Sequence, residues 1–215
     1  MNNQKSSMVK DAMILFAITL IAGLVLGAVY QVTKEPIAVQ KERAKQEACM
    51  EVFQDAASFE AIAVLDGEKQ QESTALPEGW AEQGFEGAEI GEIMKAKDDG
   101  GNLLGFVITV TSHEGYGGDI EFMMGVRNDG TLNGISILSI SETAGLGMRA
   151  EEVLKPQFVN KNAESFTYVK SGAMQENQID AISGATITTN AVTNGVNAGL
   201  YYFREMLREG GDGNE

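Results

Sequence analysis

The sequence contains few of the residues from which proteins build inorganic redox centres and covalent cross-links. Its 215 residues include one cysteine, Cys49, and one histidine, His113. A disulfide, an iron–sulfur cluster or a multi-histidine metal site needs more such ligands than the chain alone supplies. We interpret Cys49, in a stretch with helical spacing, as a packing residue, and His113, between two strand-like runs, as a turn residue. Redox chemistry on this chain would therefore require an organic cofactor.

Positive charge is also scarce beyond the N-terminal part of the chain. From Gln46 onward there are ten basic and 28 acidic residues, whereas the residues up to Lys45 include six basic and three acidic ones. Such an acidic surface argues against nucleic acid as a partner and against flat docking on anionic lipid. The chain also lacks a Gly-x-Gly-x-x-Gly segment after a predicted strand, so no nicotinamide site of that type is expected.

One long run carries no charge at all, from Ala12 to Tyr30. As a helix, its about 19 residues span roughly 28 Å, close to the hydrocarbon thickness of a bilayer. The run ends in Leu26-Gly27-Ala28, which lacks a small residue at the −3 position of a cleavage site, and it is longer than a signal-peptide core. We therefore predict an N-terminal segment 1–11 followed by a retained transmembrane helix 12–31 in contact with membrane lipid. The basic residues on its two sides nearly balance, with a slight lean towards a cytoplasmic domain.

The rest of the chain is predicted to form an α+β domain. Apolar residues at helical spacing predict a juxtamembrane helical stalk over 32–62, ahead of a folded domain at 63–209 and a flexible tail at 210–215. Residues 66–83 are rich in polar and turn residues and are predicted to be a loop. Four strands with short turns predict an antiparallel β-meander, at Ile90–Lys97, Leu103–Ser112, Ile120–Val126 and Gly134–Ile140. A short packing helix is expected at Arg149–Val159 and a strand at Phe166–Lys170. A last helix is expected from about Ser183 to before Gly210-Gly211.

The start of the last helix is the strongest candidate for a binding site. Ser183-Gly184-Ala185-Thr186 precedes an amphipathic run, so Ser183 is a candidate helix cap. Unpaired N–H groups and the helix dipole favour a phosphate at this position, and the hydroxyl of Thr186 could be esterified by it. Serine and threonine at a helix start are also ordinary caps, so the residues alone leave both interpretations open.

The run Asp180-x-x-Ser183-Gly184-Ala185-Thr186 resembles the flavinylation motif of the FMN-binding domain family. The resemblance implies that a separate flavin transferase takes FMN from FAD and esterifies it to Thr186. It further implies that Ser183, Gly184 and Ala185 bind the cofactor and that Asp180 is recognised by the transferase.

An earlier segment, Glu142-Thr143-Ala144-Gly145-Leu146-Gly147, resembles the Glu-Thr-x-Gly-Leu-Gly loop of the same family. Ala144 stands where many relatives have proline. The two glycines are free to adopt positive φ in a tight loop. The resemblance assigns five of these residues to cofactor binding: Glu142, Thr143, Gly145, Leu146 and Gly147. Tyr116 and the pair Met123-Met124 are left outside the predicted site, and the two methionines are assigned to core packing.

The order of these features resembles the family of G subunits of Rnf electron transport complexes over nearly the whole chain. The resemblance implies an electron-relay component of an ion-translocating ferredoxin:NAD+ oxidoreductase, with other membrane and iron–sulfur subunits as partners. It places the chain in the inner membrane as a single-pass protein, with residues 1–11 in the cytoplasm and the flavin domain on the extracytoplasmic side. Three alternatives remain open: the C subunit of a sodium-pumping NADH:quinone reductase, a membrane-tethered sensor or binding module without redox function, and a stand-alone extracellular flavin reductase.

Overall fold

The computed structural model describes residues 2–63 and 76–208. Most of the predicted loop at 66–83 and the whole predicted tail at 210–215 lie outside these described residues. The chain divides into two compact units, one ending at Lys45 and the other beginning at Gln46.

The first helix, α1, spans Asn2–Val52 and includes Pro36. Between Lys10 and Val52 it contains an 18-residue window with a mean hydropathy of 2.6, so its length and composition suffice to cross a membrane. The predicted segment 12–31 lies inside it. Large apolar side chains along this segment are exposed, Phe16 and Leu24 by 67% each. The exposed apolar surface is of the kind that a bilayer core covers.

The prediction of a helical stalk over 32–62 is wrong at the C-terminal end of that range. α1 ends at Val52, and residues Ser58–Ala63 form a strand, β1. The apolar residues used for the prediction extend only to Phe53. Beyond that point the backbone bonds to another strand instead of to its own preceding turn, beginning with the N–H of Ala57 on the carbonyl of Lys97 at 2.8 Å.

The five-stranded antiparallel sheet confirms the predicted meander and adds β1 to it. Its strands follow the chain in the order β1-β2-β3-β4-β5. The remaining strands are β2 Ala88–Lys97, β3 Leu103–Ser112, β4 Ile120–Arg127 and β5 Leu132–Ile140. The turn between β2 and β3 is closed by Asp98, whose Oδ1 accepts the N–H groups of Gly100 and Asn102 at 2.9 and 2.8 Å. The hydrogen bond from the side-chain amide of Asn102, followed by those from the backbone N–H groups, holds the pKa of the Asp98 carboxyl below its usual value.

Both faces of the sheet are covered, which explains why β3 is apolar without alternation. The main core lies on one face and includes Met124, whereas Met123 points to the other face and packs with the last turn of α1 and Phe53. Both methionines are fully buried, which confirms their assignment to packing. Cys49 is buried with Met123, its Sγ 3.8 Å from the thioether sulfur.

The C-terminal half supplies the elements around the candidate site. The predicted helix at 149–159 is a broken one, made of 3-10 turns at Gly147–Arg149 and Lys155–Phe158 around a short α2, Ala150–Val153. The predicted strand near 166–170 is β6, Thr167–Val169, and it pairs in parallel with β7, Gln178–Asp180, which the sequence did not predict. The last helix, α3, spans Thr186–Tyr202 and continues to Arg208 as a π-helical turn.

Two glycines let α3 lie close against the sheet. A Cβ at Gly195 would come within 3.0 Å of the ring of Phe122, and one at Gly199 would overlap the sulfur of Met124. Side chains in these positions would push the helix away from β3 and β4. This close packing fixes the position of the first turn of α3 relative to the sheet.

Candidate functional site

A cleft of about 530 Å³ opens at the first turn of α3, between that turn and two loops that follow strands. One loop connects β3 to β4, and the other follows β5. The cleft is lined by Tyr116, Glu142, Thr143, Leu146, Gly147, Gly184, Ala185, Thr186, Ile187 and Thr188. Both segments singled out by sequence therefore meet in one place, although about 40 residues separate them along the chain.

Helix α3 begins at Thr186 without a side-chain cap. Ala185 is the N-cap, with φ −133° and ψ 52°, and its side chain makes no capping hydrogen bond. Gly184 precedes it at φ +79°, a conformation that other residues rarely adopt. The prediction that Ser183 caps this helix is wrong, because the turn at Gly184 places Ser183 two residues before the N-cap, exposed and outside the cleft.

The three threonines of the first turn have different environments. Thr188 is 1% exposed, and its hydroxyl donates to Glu142 Oε2 at 2.9 Å. Thr189 is fully buried; its hydroxyl donates to the carbonyl of Ala185 at 2.9 Å and accepts the N–H of Ile182 at 3.1 Å. Thr186 is exposed in the cleft, and its hydroxyl makes no hydrogen bond with the described residues. Among these three threonines, only Thr186 therefore has a hydroxyl available to a reagent from outside.

The loop after β5 contains the two glycines that are free to adopt positive φ. Gly145 uses this freedom, with φ +77°, but does not line the cleft. Gly147 lines the cleft and does not adopt positive φ. A Cβ at Gly147 would lie 2.6 Å from Thr188 Oγ1 and 2.7 Å from Glu142 Oε2. Gly147 is thus required for space rather than for backbone conformation.

Asp180 stands apart from the cleft. Its carboxylate accepts the N–H of Ala173 at 2.9 Å, and its backbone N–H and carbonyl both bond to the side-chain amide of Gln157. These bonds fix the chain just before the turn at Gly184. The other predicted residues, Glu142, Thr143, Leu146, Gly184, Ala185 and Thr186, all line the cleft.

Sequence reasoning left three cleft residues unassigned: Tyr116, Ile187 and Thr188. The side chain of Tyr116 is 70% exposed, and that of Ile187 is 50% exposed. The sequence did contain a signal for Tyr116, an aromatic residue within the glycine-rich turn 115–118. Such a turn exposes the aromatic side chain, whereas a strand would bury it. Together with Leu146, these side chains give the cleft an apolar wall.

The composition of the cleft fits FMN. Its volume lies in the range of small-molecule sites, and its walls are mainly apolar with a few polar groups, as a flavin ring requires. Glu142 is the only charged residue among those that line the cleft in the described part of the chain. A phosphate here would therefore be held by the unpaired N–H groups and the dipole of α3, and not by a lysine or arginine.

His113 anchors the loop that carries Tyr116. Its Nδ1 lies 2.9 Å from Asp119 Oδ1, and its Nε2 lies 3.3 Å from Glu89 Oε2. The hydrogen bond to Asp119, with smaller contributions from the charges of Asp119 and Glu89, raises the pKa of His113 above its usual value of 6.5. The turn position predicted for His113 is confirmed.

This raised pKa predicts a pH-dependent contribution to stability. A group whose pKa is raised by folding stabilises the fold fully below its unfolded pKa, and this contribution disappears as pH rises through the folded pKa. We expect the melting temperature of the wild type to exceed that of His113→Gln by more at about pH 5.5 than at about pH 8.5. These two pH values lie on either side of the usual histidine pKa. Thermal melts of both proteins at the two pH values measure the difference. A constant difference would contradict the role of the imidazolium.

Two known families match this chain. Residues 115–201 match the FMN-binding domain, and residues 1–52 match the RnfG N-terminal region. The first match spans the cleft and α3, and the second covers α1.

The chain is similar to named proteins over most of its length. It is 33% identical to the G subunit of the Na+-translocating ferredoxin:NAD+ oxidoreductase complex of Acetobacterium woodii, over 93% of each chain. It is 33% identical to the G subunit of the proton-translocating ferredoxin:NAD+ oxidoreductase complex of Clostridium ljungdahlii, over 87% of this chain and 90% of the other. Among solved structures it is similar to NqrC of Shewanella oneidensis, with 21% identity, a TM-score of 0.44 and coverage of 53% and 58%.

Three observations agree: the 33% identity to two G subunits over most of their length, the two family matches, and the cleft at the start of α3. This chain therefore belongs to the family of G subunits of Rnf-type ion-translocating oxidoreductases, and its second unit contains an FMN-binding domain.

Proposed function

We propose that this protein carries FMN as a phosphoester on Thr186 and relays electrons within an Rnf-type complex. The observation that carries the proposal is the contrast among the three threonines of the first α3 turn. Thr188 and Thr189 are buried with their hydroxyls bonded, whereas Thr186 is exposed at the edge of an apolar cleft. An acceptor must meet both its own ligand and a modifying enzyme, and among these three only Thr186 meets that requirement.

The attachment is a transfer from FAD to the threonine hydroxyl. A bond forms between Thr186 Oγ1 and the phosphorus of the FMN half, the bond to the AMP half breaks, and the hydroxyl proton leaves to a base of the transferase. The first turn of α3 favours this chemistry because its free N–H groups can bind a phosphate. Gly184 and Ala185 leave the approach open on one side, since neither has a long side chain.

Bound FMN accepts and donates electrons, and the protein sets its position and surroundings. Tyr116, Leu146 and Ile187 supply apolar surface against which a flavin ring can pack. The relatives are named as subunits of ferredoxin:NAD+ oxidoreductase complexes. By that similarity we propose that the electron donor and acceptor of this chain are other membrane and iron–sulfur subunits of such a complex.

We further propose that residues 12–31 anchor the chain in the inner membrane, with the FMN-binding domain on the extracytoplasmic side. The exposed apolar surface of α1 supports the anchor. Covalent attachment supports the sidedness, because FMN lost outside the cytoplasm could not readily be replaced. Alkaline phosphatase fused after Glu215 should be active, and green fluorescent protein fused at the same place should not fluoresce. The reverse pattern would place the domain in the cytoplasm.

A tethered sensor without redox function is the main competing interpretation. It requires Thr186 to serve only as a helix-start residue that caps the helix. The side chain of Thr186 makes no capping bond, and the N-cap is Ala185. The geometry therefore favours the acceptor role.

The direct test is the mass of the denatured wild type. The full-length chain is produced with its flavin transferase, denatured, and measured intact and after proteolysis. We expect the peptide containing Thr186 to gain the mass of one FMN less one water. An unmodified chain, with the transferase active on another acceptor, would contradict the proposal.

A further inference from the structure

The carboxylate of Glu142 joins the two loops of the cleft to the first turn of α3. Its Oε2 accepts the hydroxyl of Thr188 at 2.9 Å, and its Oε1 accepts the backbone N–H of Gly117 at 3.1 Å. One side chain thus holds together three segments that are distant along the chain. Hydrogen bonds to a charged acceptor are among the stronger ones in proteins.

Glycines surround this carboxylate where it makes its bonds. A Cβ at Gly115 would lie 2.8 Å from Glu142 Oε1, and one at Gly147 would lie 2.7 Å from Glu142 Oε2. A Cβ at Gly117 would overlap the carbonyl oxygen of Ser141. Each of these positions leaves no room for a side chain, so the three segments approach closely only because glycine is present.

We propose that Glu142 is a positioning residue for the flavin acceptor. It acts through Thr188 and Gly117, by holding the first turn of α3 against the loop that carries Tyr116. The inference rests on the proposed function, since it concerns the delivery of Thr186 for modification. This positioning role goes beyond the direct flavin contact expected for Glu142 from sequence, since it acts through the hydrogen bonds that both carboxylate oxygens make within the protein.

Loss of these bonds would change the cleft in two ways. The first turn of α3 and the loop 115–118 would no longer be held at a fixed separation, so Thr186 and Tyr116 would not keep their places at its edges. Glu142 is also the only charged residue that lines the cleft in the described chain. Released from its donors, its negative charge would be left without partners in a site proposed to receive a phosphate.

The test compares Thr188→Val with Thr188→Ser in the full-length chain. Valine keeps the shape of threonine without the hydroxyl, whereas serine keeps the hydroxyl. Two quantities are measured: the initial rate of FMN incorporation with transferase and FAD, followed by mass, and the hydrogen exchange of the Gly117 amide before any flavin is added. We expect Thr188→Val to slow incorporation and to speed Gly117 exchange, each by about tenfold, which is the size expected for loss of one hydrogen bond to a charged group. Thr188→Ser should recover most of both losses.

A second pair of variants tests the carboxylate itself. Glu142→Ala removes both acceptor oxygens, so it should be affected at least as strongly as Thr188→Val in both measurements. Glu205→Ala, at an exposed carboxylate at the far end of the last helix, removes the same side-chain atoms and the same charge and should match the wild type.

The outcomes separate the inference from the proposed function. If the wild type takes up FMN, and Thr188→Val does so at the same rate with unchanged Gly117 exchange, the positioning role of Glu142 is overturned. If the wild type takes up no FMN from an active transferase, the proposed function is contradicted instead, whatever Gly117 shows.

Discussion

Thr186→Ala is expected to abolish covalent FMN while leaving the protein folded. Thr186 is the first residue of α3, exposed, and its hydroxyl makes no bond with the described residues. Alanine at this position therefore removes the acceptor atom without breaking a contact, and alanine is the best helix former. Incorporation should fall to background, because the neighbouring hydroxyls of Thr188 and Thr189 are buried and bonded.

The measurement is the mass of the denatured protein and of the peptide containing residue 186, for the wild type and the variant. Thr186→Ser retains a hydroxyl at the same place and should still accept FMN. Thr167→Ala, which removes an exposed threonine on β6, should incorporate FMN like the wild type. Stoichiometric FMN on Thr186→Ala would show that another residue is the acceptor and would sink the assignment.

Phe53→Ala should cause the largest loss of stability among single substitutions at the end of α1. The Phe53 ring is fully buried and lies on the face of the sheet opposite α3. It rests on two glycines: a Cβ at Gly105 would come within 2.9 Å of the ring, and one at Gly125 within 3.0 Å. The guanidinium of Arg127 also lies over this ring, 5.7 Å from its centroid.

Because glycines form its floor, the space left by the ring cannot be filled by nearby side chains. We expect the free energy of unfolding to fall by about 3–5 kcal/mol, the usual cost of such a truncation. This is a large share of the total, since domains are stable by only about 5–15 kcal/mol. Urea unfolding of the full chain in detergent, followed by the fluorescence of the buried Trp80, measures the change.

Met50→Ala is the matched control for Phe53→Ala, because Met50 lies in the last turn of the same helix but is 61% exposed. Its unfolding free energy should stay within about 0.5 kcal/mol of the wild type. Similar midpoints for the two variants would show that the end of α1 contributes little to the folded domain.

The parts of the fold predicted from sequence are those fixed by local signals. Period-two alternation in β2 and β4, the β-branched apolar run of β3, and strong turns such as Asp98-Asp99-Gly100-Gly101 located four of the five meander strands. β1 was missed because its six residues follow a long helical pattern, and only pairing with β2 selects an extended conformation there. β7 is three residues long, too short for any periodicity, and it exists through its parallel pairing with β6.

The candidate site was predicted through its motifs and not through its geometry. The motifs identified Thr186 and the loop containing Glu142 as candidates, and the structure places both in one cleft. The capping role given to Ser183 was wrong because a residue's position relative to a helix start depends on the turn at Gly184. The need for space at Gly147 was missed for a similar reason, because the crowding around it comes from Thr188, 41 positions further along the chain.

The order of elements along the chain also sets the order in which the site can form. Each strand of the meander pairs with a sequence neighbour, so the sheet can assemble as the chain is synthesised from its N-terminal side. The first turn of α3 comes after all five of these strands, and the walls of the cleft include loops that precede this turn by about 40 to 70 residues. A nascent chain therefore has no cleft until α3 has docked on the sheet. A transferase that requires the cleft would modify only finished domains, and the flavin would mark chains that have completed folding.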